Sequence, residues 1–362
     1  MRFKNWSLPY FFSYILFYFA RKGYFRKVSK RNSKLIPKGH PVIFAINHQN
    51  SLVDPCIVAT STVKSVFFLV RSDVFKIPFV SKILHSINMM PIYRKKDGPD
   101  FIEKNVSVFK KCATILSKNG GIMIFPEGST NTKNRLRVLK KGIVRIAKDA
   151  HKISDKDVYI VSIGLNYSNV ENKCSDLFVN YGTPINVSSK LKSLGEIENE
   201  NELFSPIMSE LRFKMENLIL HYEKDDFYEL YDFLIRLVDK SQNRFSKNLG
   251  ETFDLKQKKT QLITDYISTN KAQALKYLED CILITKECEN LNIKPYLFQK
   301  KSYSIIFDFV LLVLSFPIFI YGFINNYLPF IIPQKTLNVK IKDSQFHQAV
   351  NMIVGAFAFF IF

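Results

Sequence analysis

Hydrophobic positions change their spacing several times along the chain, and each change predicts a different kind of element. Trp6 to Ala20 (WSLPYFFSYILFYFA) is nearly continuous apolar and aromatic sequence. It falls short of the roughly 20 apolar residues a spanning helix needs. Its Phe, Tyr and Trp content and the basic residues after it predict a helix lying in, or partly inserted into, a membrane interface. A short span helped by local bilayer thinning is the alternative. From Pro41 to Val187 short β-like runs alternate with amphipathic stretches. The runs are PVIFAIN (41–47), SVFFLV (65–70), GIMIFP (121–126), VYIVSIGLNY (158–167) and LFVNYG (177–182). FIEKNVSVFKKCATILSKN and LKKGIVRIAKDAH between them have helical spacing, so the alternation predicts an α/β domain with a largely parallel sheet.

Beyond residue 187 Gly and Pro become sparse, and NELFSPIMSELRFKMENLILHY and FYELYDFLIRLVDK take the three-to-four spacing of amphipathic helices. SIIFDFVLLVLSFPIFIYGF (304–323) is long and apolar enough to cross a bilayer, with Asp308 near one end and a helix-kinking Pro317. The last run, AVNMIVGAFAFFIF, reaches residue 362 still hydrophobic, whereas a spanning helix emerges into polar flanks; a truncated chain or a missing partner helix is the expectation. The pattern divides the chain into an interfacial helix with a basic segment (1–30), an α/β domain (31–190), a helical region (191–300) and a C-terminal transmembrane region (301–362).

Charge narrows the partners. The net charge is +20, which calls for an anionic surface or substrate. Arg21, Lys22, Arg26, Lys27, Lys30, Arg31, Lys34 and Lys38 follow the first apolar stretch with no acidic residue among them. That position points to a phospholipid bilayer and a cytoplasmic-face location, with a solvated charge run as the bland alternative. No nucleic-acid-binding motif accompanies the charge, so nucleic acid is not expected as a partner. The cysteines at 56, 112, 174, 281 and 288 are scattered without a CxxC pair. This argues against a disulfide framework or a zinc site and for a reducing cytosolic face.

Candidate chemistry sits at strand ends. The first strong strand runs into His48, with Asp54 six residues on. A carboxylate bonded to one imidazole nitrogen leaves the other free to take a proton from an attacking alcohol. No GxSxG elbow is present, so direct transfer without an enzyme nucleophile is the simpler chemistry. Taken alone, a His and an Asp at this spacing are as readily structural. GIMIF ends in Phe125-Pro126-Glu127-Gly128-Ser129-Thr130. Gly128 allows close backbone approach, and Ser129 with nearby amides can donate to phosphate oxygens. Arg135, Arg137, Lys140 and Lys141 add charge for an anionic headgroup. Glu127 can order that basic set or bind an acceptor hydroxyl. A plain strand-to-helix turn with a solvated basic helix is the bland alternative. Arg94, closing MPIYR, can fork onto phosphate or lie on the surface.

NHQNSLVD, MPIYR, FPEGST and VSIGLNY, in this order, resemble the four motifs of the PlsC-like superfamily of glycerol-3-phosphate and lysophosphatidic acid acyltransferases, over roughly residues 30 to 190. The resemblance implies a glycerolipid acyltransferase-type α/β domain. His48 of the NHxxxxD-like motif would be the base and Asp54 its partner, with Arg94, Glu127 and Gly128 lining the acceptor phosphate site. It implies transfer of a fatty acyl group from acyl-CoA or acyl-ACP (acyl carrier protein) to a hydroxyl of lysophosphatidic acid or glycerol 3-phosphate, with no metal and no bound cofactor. Thr130 stands where many lysophosphatidic acid acyltransferases carry Arg, and Arg135 or Arg137 would take its place. RLRVLKKGIVRIA and the apolar C-terminus look more like the branch that includes glycerol-3-phosphate acyltransferases. Another lysophospholipid as acceptor, or a catalytically silent lipid-binding scaffold, are the alternatives.

Overall fold

The computed structural model describes residues 6–358 apart from 52, 63, 171–172, 196, 242–247, 294–302, 341–350, 353 and 356. The predicted strands form. They are β2 (Val42–Ile46), β3 (Val66–Arg71), β5 (Gly121–Ile124), β6 (Tyr159–Tyr167) and β7 (Asp176–Tyr181), joined by β1 (Lys27–Arg31), β4 (Met89–Ile92) and the short β8 (Ile185–Asn186). The sheet order is β1-β7-β6-β2-β5-β3-β4, with β8 also on β6. Strands β2 to β6 are mutually parallel, while β7 runs antiparallel to β6 and carries β1 parallel to itself.

Helices cover both faces: α1 (Leu8–Tyr24), α2 (Val53–Ser61), α3 (Pro78–Ser86), α4 (Phe101–Ser117), α5 (Gly142–Ile153), α6 (Val187–Leu194) and α7 (Glu200–Leu218). Strand β2 explains why its sequence is unbroken apolar. Val42, Phe44 and Ile46 pack with Tyr10 and Tyr24 of α1 and with Ile57 and Val58 of α2. Ile43 and Ala45 face Cys112 of α4, Val144 and Ala147 of α5 and Ile207 of α7. A strand buried on both faces reads as a continuous run rather than an alternation. Gly164 of β6 is required by packing: a Cβ there would sit 2.1 Å from the Leu218 carbonyl oxygen at the end of α7.

The basic segment is also part of the sheet. Lys27–Arg31 forms an edge strand, and Arg26 pairs with Asp176 on β7. Charged side chains on an edge strand discourage further strand addition. The boundary expected at residue 30 therefore falls inside β1, and the one expected at residue 190 falls inside α6.

The described chain forms two compact units, one within Met1–Ile219 and one within Leu220–Thr336. The second holds α8 (Tyr228–Ser241), α9 (Leu249–Thr269) and α10 (Lys271–Asn290) around Tyr222, Tyr231, Ile235, Ile267 and Ala274. It continues into α11 (Tyr303–Lys340). Ile306–Leu328 of α11 is the one helix among the described residues long and apolar enough to cross a membrane. Its 23 residues at about 1.5 Å each span about 34 Å, against a hydrocarbon core of about 30 Å. Of the closing apolar run only Asn351, Met352, Val354, Gly355, Phe357 and Ala358 are described, so that expected segment lies mostly outside the described residues.

Candidate active site

Strand β2 delivers Asn47 and His48 to the carboxyl edge of the parallel strands, where α/β folds gather reactive groups. Asn47 fixes the exit. Its amide donates to the Leu165 carbonyl (3.0 Å) and its oxygen accepts the Leu165 N–H (2.8 Å), adding a side-chain step to the ladder with β6.

His48 Nδ1 lies 2.9 Å from Asp54 Oδ2. Five residues separate the two, one more than in an NHxxxxD motif. The loop closes around the carboxylate itself, because the backbone N–H groups of Gln49 (2.9 Å) and Asn50 (2.8 Å) also donate to Oδ2. Asp54, in the first turn of α2, is 0% exposed. Its second oxygen accepts the Tyr167 hydroxyl from the end of β6. Burying a carboxylate is tolerated only when its lone pairs are satisfied, and this one has four donors. Burial, reinforced by the Asp54 carboxyl, pushes the Tyr167 hydroxyl well above its usual range, so it stays a donor. An acceptor carboxylate makes Nδ1 the protonated nitrogen and Nε2 the acceptor. The ring is held flat against Phe125, with centroids 3.9 Å apart and an 18° tilt. Two residues after Asp54, burial pushes the Cys56 thiol up to about 12, so the nearest sulfur is not a thiolate nucleophile.

The segment after β5 braces His48 from both sides. Glu127 Oε1 accepts the His48 backbone N–H (3.0 Å), and the His48 carbonyl accepts the Asn131 N–H (2.7 Å). Glu127 Oε2 accepts the Arg137 backbone N–H (3.0 Å). With both oxygens on main-chain donors and 5% exposure, Glu127 ties the basic loop to the histidine strand. Burial pushes its pKa up, against the downward pull of those two N–H donors. Gly128 turns the chain at φ +74°, a left-handed conformation that favours glycine. The Lys140 side chain lies across it, 3.6 Å from where a Cβ would stand. Arg137 Nη1 donates to Ser129 Oγ (2.7 Å), and the Arg135 carbonyl accepts from the Asn131 amide (3.0 Å). Ser129, Arg137 and Lys140 are exposed and Arg135 is half-buried. The sequence motif thus becomes a self-bonded loop with cations at its rim.

Arg94 follows β4, three strands from β2 in the sheet order. At about 4.8 Å per strand this is about 14 Å across the sheet. Its guanidinium pairs with Asp73 (3.1 Å) and Asp97 (3.3 Å), and Arg71 shares Asp73 (2.5 Å). Two arginines and two aspartates make this cluster neutral overall. The cluster lies at the same sheet edge as His48 and the FPEGST loop. Sequence reasoning missed both aspartates, and it gave no role to Tyr167 although VSIGLNY had been singled out. The signals were positional: Asp73 and Tyr167 stand at or just after strand ends, and Asp97 is three residues from Arg94.

Between α1, α2 and the start of β4 lies an apolar recess lined by Tyr10, Tyr14, Phe17, Pro55, Cys56 and Met89, with about 30 Å³ of free volume.

A mostly parallel sheet here presents a histidine bonded to a buried carboxylate at its carboxyl edge. Residues 27–166 match the family model described as Acyltransferase. A 1-acyl-sn-glycerol-3-phosphate acyltransferase of Borreliella burgdorferi is 28% identical over 121 residues, covering 33% of this chain and 46% of its own length. The chain thus spans about half the length of that curated relative. Among solved structures, the 1-acyl-sn-glycerophosphate (LPA) acyltransferase PlsC of Thermotoga maritima aligns over 58% of this chain and 80% of its own, with 18% identity and a TM-score of 0.39.

Proposed function

We propose that the protein transfers a fatty acyl group from a thioester donor, acyl-CoA or acyl carrier protein, to a hydroxyl of a lysophosphatidic acid-type acceptor. The observation that carries this reading is the His48–Asp54 pair with its four-donor carboxylate, set within an acyltransferase domain. His48 Nε2 takes the proton of the acceptor hydroxyl as its oxygen attacks the thioester carbonyl. The carbon–sulfur bond then breaks, and the departing thiolate takes that proton back from the imidazolium. Asp54 holds the tautomer and stabilises the transient cation. This chemistry calls for no metal and no resident cofactor.

Acceptor orientation falls to the loop after β5. The N–H groups of Ser129 and Thr130 donate to no group among the described residues, and Arg137 stands beside them. Amides in a turn next to a guanidinium suit a phosphate. Arg94 would join them by exchanging a carboxylate partner for the phosphate. Transfer takes place at the bilayer surface in this reading. Support comes from the length and composition of α11 and from the basic residues after α1, which favour the cytoplasmic leaflet.

Purified protein in detergent, given acyl-CoA with lysophosphatidic acid or glycerol 3-phosphate, tests the acceptor. Faster turnover of lysophosphatidic acid is expected. Product only from glycerol 3-phosphate would move the assignment one step earlier in glycerolipid synthesis. No product from either acceptor with either donor would support a silent lipid-binding protein.

A further inference from the structure

Helix α3 has no buried residue, although it links two strands of the central sheet. Crossover helices in such folds bury an apolar face against the sheet, whereas α3 only half-buries Val80 and Leu84 and holds its remaining apolar residues outward. Ile77 is 61% exposed and Phe79 73% exposed, with Ile83 following one turn on. Large exposed apolar groups clustered on one short element mark an interaction surface.

Their place in the fold is specific. β3 ends at the carboxyl edge of the sheet, and the chain must return to the opposite edge to begin the parallel β4. The first turn of α3, Ile77-Pro78-Phe79, therefore lies on the edge that carries His48, and Ser86 lies on the far edge. Helix α1 passes alongside: Ser7 Oγ donates to the Ser86 carbonyl (3.1 Å). Leu8, Phe12 and Phe19 of α1 are exposed at helical spacing and form a second apolar stripe.

Charge selects the partner. No acidic residue occurs from Val74 to Lys96, while Lys76 and Lys82 flank the exposed apolar groups. The first acidic residue of the whole chain is Asp54, and ten Lys and Arg precede it. Apolar side chains between lysines, with no compensating carboxylate, fit an anionic lipid interface. We infer that the first turn of α3, led by Ile77 and Phe79, inserts into an anionic phospholipid surface and seats the carboxyl edge of the sheet on the bilayer. The inference rests on the proposed function only for its purpose, delivery of a lipid acceptor to His48. The contact itself does not depend on transfer.

The full chain reconstituted in vesicles of phosphatidylcholine and phosphatidylglycerol tests it, with p-benzoylphenylalanine placed at position 79 in one sample and at 153 in another. Ile153 is exposed at the end of α5, which descends to the opposite edge of the sheet. After irradiation, mass spectrometry should find phospholipid adducts at position 79 in several-fold excess over position 153. Equal labelling at both positions, or none at 79, overturns the inference. A crosslinked dimer from position 79 also overturns it and assigns the surface to a second copy. A chain that gives the expected adducts but no acyl transfer would keep the inference and remove the proposed activity.

Discussion

Asp54 holds His48 through one oxygen and is itself held by four donors, two of them main-chain N–H groups within the same loop. The five-residue spacing looks like a departure at the level of a motif, yet the carboxylate organises the loop that carries its partner. Tyr167 is the donor that sequence spacing did not assign. It enters from a strand more than 100 residues away, and only the β2–β6 pairing brings it there. Replacing it by Phe should leave Oδ1 unsatisfied, at a cost of about 1–3 kcal/mol. Without that donor the carboxylate that orients the imidazole loses one of its fixed contacts, and kcat should fall by about tenfold. A wild-type kcat in Tyr167→Phe would show that the hydroxyl only fills space.

At the scale of elements, strand ends carried the legible information and ion pairing did not. The runs before His48 and Phe125 read as strands because both of their faces are buried, and both motifs emerge where expected at the carboxyl edge. Arg94 read as a free cation because Asp73, on another strand end, is not near it in sequence. Asp97 is held at about 2, below its ordinary 3.8, mainly by hydrogen bonds from the Arg94 side chain and backbone. A depressed folded-state pKa stabilises above the unfolded value, and that contribution is lost as pH falls through the folded one. Asp97→Asn should therefore lower Tm near neutrality, and the gap to wild type should close as pH falls from about 4 to about 2. A gap that stays constant over that range would separate Asp97 from the Arg94 cluster.

For the whole molecule, the hydrophobic pattern separated a sheet-forming half from a helical half, and the described residues show both. It could not read β1, since Lys27-Val28-Ser29-Lys30-Arg31, with a single apolar residue, becomes a strand only when β7 offers a parallel partner. It could not place α7 either. Its amphipathic spacing looks like that of the helices after it, but Gly164 lets it pack onto β6. Helix α11 is the element expected to hold the chain in a bilayer. Membranes washed with alkaline carbonate should retain the full chain, because an apolar helix of this length is not extracted by loss of charge attraction. Release into the wash would leave only surface attachment through the basic and apolar groups of the first unit.

In the proposed function His48, steered by Asp54, is the base of an acyl transfer. The most direct measurement is product formation by the full chain from acyl-CoA and lysophosphatidic acid, compared with His48→Ala of matched thermal unfolding profile. Transfer by the wild type is expected, with a loss of about 10²–10⁴-fold in the variant. Transfer by His48→Ala at the wild-type rate would contradict it.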